Sequence, residues 1–245
     1  MGGRQSARDW PHDIDIDVDI FDHILNTNMY SVHMSSPSDR RSRKRLATRQ
    51  GISNASTQLF IERGFDQVTV DEIAAAADVG RMTVFNHFPR KEDMFFDRDE
   101  EAREMLCEAL RKRDPRIGPI EALRLLAHRL VEEKSPAVEF SARSQGFIAT
   151  IEGSETLKAR ARAIRDEFEQ VMAVALSECV GREPTDPDAQ LAAGLLLATW
   201  TTALIQAHRT FRQSRNTKKA NTAFLTIVDK GTVALKAATA GTPYA

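Results

Sequence analysis

Thr69-Val70-Asp71-Glu72-Ile73-Ala74-Ala75-Ala76-Ala77-Asp78-Val79-Gly80-Arg81-Met82-Thr83-Val84-Phe85-Asn86-His87-Phe88-Pro89 is the stretch on which the reading of this chain turns. The hydroxyl of Thr69 and the carboxylate of Glu72 stand three apart, the spacing at which each side chain satisfies a free amide of the other and a helix begins. Ile73 and the alanines Ala74 to Ala77 give that short helix a small-residue surface, and Asp78-Val79-Gly80 makes a tight turn. A further helix opens at Arg81 and must stop at Pro89, which has no N–H to give and whose ring clashes with a continuing helix. Two short helices joined by a three-residue turn containing glycine are the makings of a helix-turn-helix.

The spacing inside the helix from Arg81 assigns its faces. Val79, Val84 and Phe88 can turn inward, 84 and 88 lying one turn apart, which leaves Arg81, Met82, Thr83 and Asn86 outward. A helix of that kind fits the major groove: arginine can reach guanine O6 and N7, asparagine can pair with adenine, and a thioether or methyl can touch thymine. Just upstream, residues 44 to 64 place Ile52, Ala55, Ser56, Leu59 and Phe60 on one helix face. Gly64 is the expected left-handed cap there, and Phe65 the apolar residue beyond it.

The chain has 245 residues, enough for one large or two modest domains. With 42% apolar and 28% charged residues it is globular in composition. Cys107 and Cys179 are its two cysteines, which excludes a disulfide scaffold or a four-thiolate zinc site and suits a reducing compartment. The formal net charge of −1 conceals a dipole. Residues 1–38 carry two arginines against six aspartates, residues 39–91 carry ten basic and six acidic residues, and residues 92–245 nearly balance. Basic charge is therefore concentrated on the helix-turn-helix segment, where a polyanion would be met.

The expected organisation follows these shifts: an acidic, disordered leader at 1–38, a DNA-binding unit at 39–91 and a helical body at 92–245. Residues 13–20 alternate Asp with Ile or Val, but no partner strand lies near, so the expectation is a mobile leader upstream of a start at Met29 or Met34. Its acids folding back onto the basic run Arg40-Arg41-Ser42-Arg43-Lys44-Arg45 is a further possibility. No basic stretch leads into an apolar segment at the N-terminus, so a cytoplasmic location is expected.

Beyond residue 91 apolar residues recur at three and four, which predicts helices at 92–113, 119–133, 136–151, 155–179, 188–212 and 219–239, an all-α chain. Ala189 to Ala207 is 19 residues without a formal charge, yet Thr199, Thr201, Thr202 and Gln206 interrupt it. The small residues Gly194, Ala198 and Thr202 recur every four positions, as in close helix packing. A buried interface helix is expected, not a membrane span.

Residues 44–96 resemble the N-terminal DNA-binding domain of the TetR/AcrR family of bacterial transcription regulators. The resemblance lies in Leu59-Phe60-Ile61-Glu62-Arg63-Gly64-Phe65, Thr69-Val70-Asp71-Glu72-Ile73-Ala74 and Thr83-Val84-Phe85-Asn86-His87-Phe88-Pro89-Arg90-Lys91-Glu92. It implies a three-helix DNA-binding domain followed by a larger helical domain that binds a small ligand and dimerises through its last two long helices. Carried over by position, it makes Thr69 a phosphate contact, Arg81, Met82 and Thr83 base-facing, and His87 and Lys91 contacts to flanking phosphates. Phe85 stands where the family often has tyrosine, so ring packing remains and a hydroxyl contact is absent. Gly80 and Arg90 replace the usual polar caps. The run 40–45 is expected either as an arm along the neighbouring minor groove or as a solvated tail.

For the dimer interface the resemblance points to Gly194, Ala198 and Thr202 on one long helix and Phe224, Val228, Gly231 and Leu235 on the next. Two-fold symmetry would set two recognition helices about 34 Å apart, which implies a palindromic operator on double-stranded DNA. For an unidentified small-molecule effector the candidates are Leu106, His128, Phe140, Arg143, Phe147, Phe168, Met172 and Trp200, many of which suit core packing equally well. Arg143 could pair with a ligand carboxylate or with a glutamate. No cofactor or metal site is expected. The six histidines, at 12, 23, 33, 87, 128 and 208, lack His-x-x-x-His or Cys-x-x-Cys companions, and no nucleophile elbow or phosphate loop is present, so catalysis is not expected. A constitutive regulator or activator without effector, and a helical module whose basic segment binds acidic partners, are the competing readings.

Overall fold

The computed structural model describes residues 40–245; the expectations for the leader at 1–38, including the Asp/Ile alternation, lie outside the described residues. Helix α1 (Arg40–Arg63) is followed by a 3₁₀ turn (Phe65–Gln67), then α2 (Val70–Ala76) and α3 (Arg81–His87). After a second 3₁₀ turn (Glu92–Met94) come α4 (Asp99–Arg111) and α5 (Pro119–Glu132). A third (Pro136–Val138) precedes α6 (Ala142–Glu152), α7 (Glu155–Cys179), α8 (Pro187–Ser214) and α9 (Thr217–Ala238). No strand occurs among the described residues.

Helix α1 buries Ile52, Ser56 and Phe60 at intervals of four and ends at Gly64, whose amide closes the last turn on the Phe60 carbonyl at 2.9 Å. Gly64 has φ 84°, which a residue with a Cβ rarely adopts, and it turns the chain so that Phe65 enters the core. The basic run is helical: Arg40 to Arg45 form the first turns of α1. Arginine and lysine are good helix formers, and the run joins directly onto the amphipathic face.

Two expected helices are broken. Residues 92–98 do not begin a long helix, because Met94, Phe95 and Phe96 are all buried and one helix face cannot bury three consecutive side chains. The chain bends there, and α4 starts at Asp99. Likewise 136–138 is a 3₁₀ turn capped by Ser135, and α6 opens at Ala142 through a reciprocal cap between Ser141 and Ser144. That leaves the preceding Phe140 fully buried.

Helices α8 and α9 form an antiparallel hairpin with the most extensive contact in the molecule. Arg215, at φ 50°, ends α8, and the Asn216 side chain caps α9 by accepting from the Lys219 amide at 3.1 Å. By length and apolarity α8 would pass for a membrane span, but half of its most apolar window is buried inside the molecule, against α7 and α9.

This hairpin corrects the expected dimer stripe. Phe224, Val228 and Leu235 are buried within the protomer, Phe224 edge-on to Trp200 at 5.9 Å. Gly231 serves the same packing: a Cβ there would come within 2.9 Å of Thr199 Cβ. Gly194 lies against Glu169 of α7, and Ala198 and Thr202 remain exposed. The glycines are small because α8 meets its own neighbours closely. Gly231→Ala is therefore expected to destabilise the protein by about 1–3 kcal/mol through overpacking. Urea unfolding should show the loss, and Gly231→Ala with Thr199→Ala should recover a large part of it.

Candidate nucleic-acid interface

Helix α3 is seven residues long, too short to persist unless other elements hold it. Val84 and Phe88 are fully buried and fasten it to the core shared with Ile52, Phe60 and Ile73. Its start is a bare backbone cap, Gly80 accepting from Thr83 N at 2.8 Å and Val84 N at 3.2 Å. Its end is held from α1: Arg49 donates to the His87 carbonyl at 2.6 Å, with its guanidinium 4.0 Å from the centre of the Phe88 ring.

The turn before it is built on Asp78, with Gly80 as the cap of α3. Asp78, not Gly80, takes the positive φ, 52°, and Val79 N donates back to the Ala74 carbonyl at 3.0 Å to close α2. Aspartate is one of the few residues that tolerates this conformation. Gly80 is extended instead, as a helix cap requires.

Of the residues expected to meet DNA, Met82 is 71% exposed and Phe85 36%. Arg81 and Asn86 are exposed, Thr83 and His87 half-buried, and Val79 half-buried on the inner side. Arg81 Nη1 donates to Asp71 Oδ2 at 2.7 Å, while its guanidinium lies 5.6 Å from the centre of the Phe85 ring. In the free protein the arginine is thus already held over α3 by a carboxylate of α2.

Thr69 completes the reciprocal cap. Its Oγ1 accepts from Glu72 N at 3.3 Å, and both its N–H and its hydroxyl donate to Glu72 Oε2 at 2.8 Å. Arg63 holds the same carboxylate at 2.7 Å. The Thr69 amide, then Arg63, hold the Glu72 pKa down at about 2. A phosphate arriving at Thr69 meets donors that Glu72 already engages.

Lys91 is turned inward. Its Nζ donates to the Phe65 carbonyl at 2.5 Å and stands 4.2 Å from the centre of the Phe65 ring; burial lowers its pKa, against the pull of Asp66, Glu92 and Glu72. Arg90 reaches Asp93 at 3.3 Å. Arg43, Lys44 and Arg45 are exposed on the first turns of α1. Burial, then the charges of Arg45 and Arg49, push the His87 pKa down. The sequence reading missed Arg49, Asp71 and Arg63 because their partners lie 38, 10 and 9 positions away, beyond any helical spacing.

The candidate ligand residues do not converge. Phe147 stacks on Phe95 at 4.2 Å, at the join between the N-terminal helices and the body. Phe140 and Trp200 pack with Phe224, and Arg103 lies 5.7 Å from the centre of the Phe168 ring. Leu106 and Met172 are buried core. His128 Nε2 faces Asp229 Oδ1 at 2.8 Å, beside Arg124. Arg143 is exposed on α6 and lines a cleft against α1. Among the described residues no cluster of three or more His, Cys, Asp or Glu could hold a metal ion.

Residues 52–97 match the family described as Bacterial regulatory proteins, tetR family. The chain is 30% identical over 103 residues to the HTH-type transcriptional regulator TcmR of Streptomyces glaucescens, a match covering 39% of this chain and 46% of that protein. It is 44% identical over 57 residues to the HTH-type transcriptional repressor BepR of Brucella suis biovar 1, covering 23% of this chain and 27% of that one. The matched stretches thus span less than half of either relative. The fold is shared with SmeT of Stenotrophomonas maltophilia in its complex with triclosan: TM-score 0.51 at 20% identity, over 77% of this chain and 91% of that one.

The join itself holds a titratable group. Burial raises the Asp97 pKa to about 6, against the opposing effects of the Ser53 hydroxyl and the Arg98 and Arg49 charges. A carboxyl whose folded pKa lies above its unfolded value favours folding when protonated, so this contribution weakens as pH rises from about 4 through about 6. Asp97→Asn should therefore unfold at higher urea than the parent at pH 7.5, with the gap closing near pH 4. A variant less stable at pH 7.5 would mean that pairing with Arg98 outweighs burial.

Proposed function

We propose that this chain, whose residues 52–97 match the tetR family of bacterial regulatory proteins, is a regulator of that family and a sequence-specific DNA-binding transcriptional repressor. In this reading residues 39–91 bind duplex DNA and residues 92–245 bind an effector and dimerise. The homodimer sits on a palindromic operator in the cytoplasm, and a small molecule releases it. It is a regulator and not an enzyme, as its named relatives are.

One observation carries the reading: a seven-residue helix, capped and gripped from behind, presents Arg81, Met82, Phe85 and Asn86 outward together. Base edges are read by such side chains, while the positive charge of α1 suits phosphates, which position the protein without specifying sequence. The dimer reading draws support from Leu191 on α8 and Val233 on α9, apolar and 48% and 71% exposed, with exposed Ala198 and Thr202 between them in the chain. Release by a small molecule is supported by the shared fold with SmeT, which is described in complex with triclosan. A constitutive regulator or activator without effector is the second reading, favoured by the scatter of the eight candidate ligand residues.

Footprinting separates the two: protection of a palindrome that an effector abolishes belongs to the first, and protection indifferent to any effector to the second. Arg81→Ala is expected to erode sequence preference by about 1–3 kcal/mol at one base pair of each half-site. Lys91→Ala should weaken all duplexes alike. Because Lys91 also ties down the Phe65 carbonyl, the salt dependence decides its role: a slope lower by about one unit marks a phosphate contact, and an unchanged slope marks a structural clamp.

A further inference from the structure

The face of α1 turned from the core forms one wall of a cleft of about 390 Å³, and Arg98, ahead of α4, and Arg143, in the first turn of α6, also line it. That volume falls within the range of small-molecule sites, about 300–1,000 Å³. The α1 wall is unusual for its amides, Gln50, Asn54 and Gln58, which repeat at helical spacing with Ile61 as an apolar patch.

Among the described residues, two groups in this cleft have no partner. Arg143 makes no hydrogen bond or ion pair among the described residues. The Thr57 hydroxyl is buried and also lacks a partner, whereas Thr48 and Thr150 donate to the carbonyl four residues back. The other charges are answered: Arg98 faces Glu101 at 3.6 Å, and Glu62 accepts from Gln58 at 2.9 Å. Among the described residues the cleft therefore offers one uncommitted cation, a buried hydroxyl, and a row of neutral donors and acceptors.

We propose that the α1–α6 cleft, lined mostly by α1, is a further effector site beside any within residues 92–245, and takes a small monocarboxylate rich in hydroxyl groups. The carboxylate takes the fork of Arg143, and the hydroxyls exchange hydrogen bonds with the three amides, with Thr57 and with the Glu62 carboxylate. A carbon face rests on Ile61. The position gives such a ligand leverage over α3. Helix α1 grips α3 through its core face and through Arg49, while α6 belongs to the body, and the two touch where Gly146 would place a Cβ 3.3 Å from Ile61. A ligand that bridges α1 and α6 favours one spacing between them and so changes DNA affinity by the factor by which DNA changes its own. This coupling rests on the DNA-binding reading; occupancy of the cleft does not.

Isothermal titration of the full chain tests it with quinate, a ring bearing one carboxylate and several hydroxyls. Cyclohexanecarboxylate, which has the charge alone, and myo-inositol, which has the hydroxyls alone, are the comparisons at constant ionic strength. Quinate is expected to saturate at one per chain, at least about tenfold tighter than either analogue, and Arg143→Gln and Thr57→Val should each weaken it about tenfold. Thr57→Val removes a hydroxyl that the free protein does not use, so its melting temperature should hold or rise, which separates lost binding from lost folding. No saturable quinate binding, equal binding of the analogues, or indifference to Arg143→Gln overturns the site. Quinate binding that leaves operator affinity unchanged overturns its effector role. A chain that binds quinate and no DNA sinks the repressor reading and leaves the site standing.

Discussion

A helix of seven residues has almost no stability of its own in water, so Arg81 to His87 are helical only because Val84 and Phe88 are held from behind. The grip comes from Ile52 and Phe60 of α1 and Ile73 of α2, with Arg49 fixing the last turn through the His87 carbonyl. A side chain that reads a base edge must be aimed, and its aim is inherited from this packing. The outward residues of α3 are thus as well placed as the inward ones are buried.

The same helices carry their own counterions. Asp71 holds Arg81, Arg63 and the Thr69 cap hold Glu72, and Lys91 is folded onto the Phe65 carbonyl and ring. The two ion pairs, Arg81–Asp71 and Arg63–Glu72, are largely exposed, where each contributes little to stability. They matter as competitors, since a phosphate or base that takes Arg81 must replace Asp71. Specific association is then an exchange of partners, and further positive charge lies at Arg43, Lys44 and Arg45 on the first turns of α1 and at Arg49 beside His87.

The N-terminal helices are joined to the body by aromatic packing. Phe60 lies 5.9 Å from Phe95, which stacks on Phe147 of α6 at 4.2 Å and 3°, and Ser154 at the start of α7 donates to Asp66 at 2.9 Å. A signal passing between body and DNA-binding unit has to move through these contacts. Closely packed interiors shift between discrete arrangements more readily than they deform smoothly. The bend at 94–98 that creates this join carries three consecutive phenylalanine or methionine side chains, all buried.

What the sequence determined by itself was local. The Thr69–Glu72 cap, the ending at Gly64, the stop at Pro89 and the long helices α7, α8 and α9 were legible because caps and apolar periodicity act over three or four residues of one segment. The tertiary structure decided which face meets which. It drew Arg40–Arg45 into a helix, broke 92–98, turned Phe224, Val228 and Leu235 into their own protomer, and scattered the candidate ligand residues through a packed core. Periodicity can mark a stripe as apolar, but the partner of that stripe is chosen by volume and close approach between segments far apart in the chain, as Gly231 against Thr199 and Phe95 against Phe147 show.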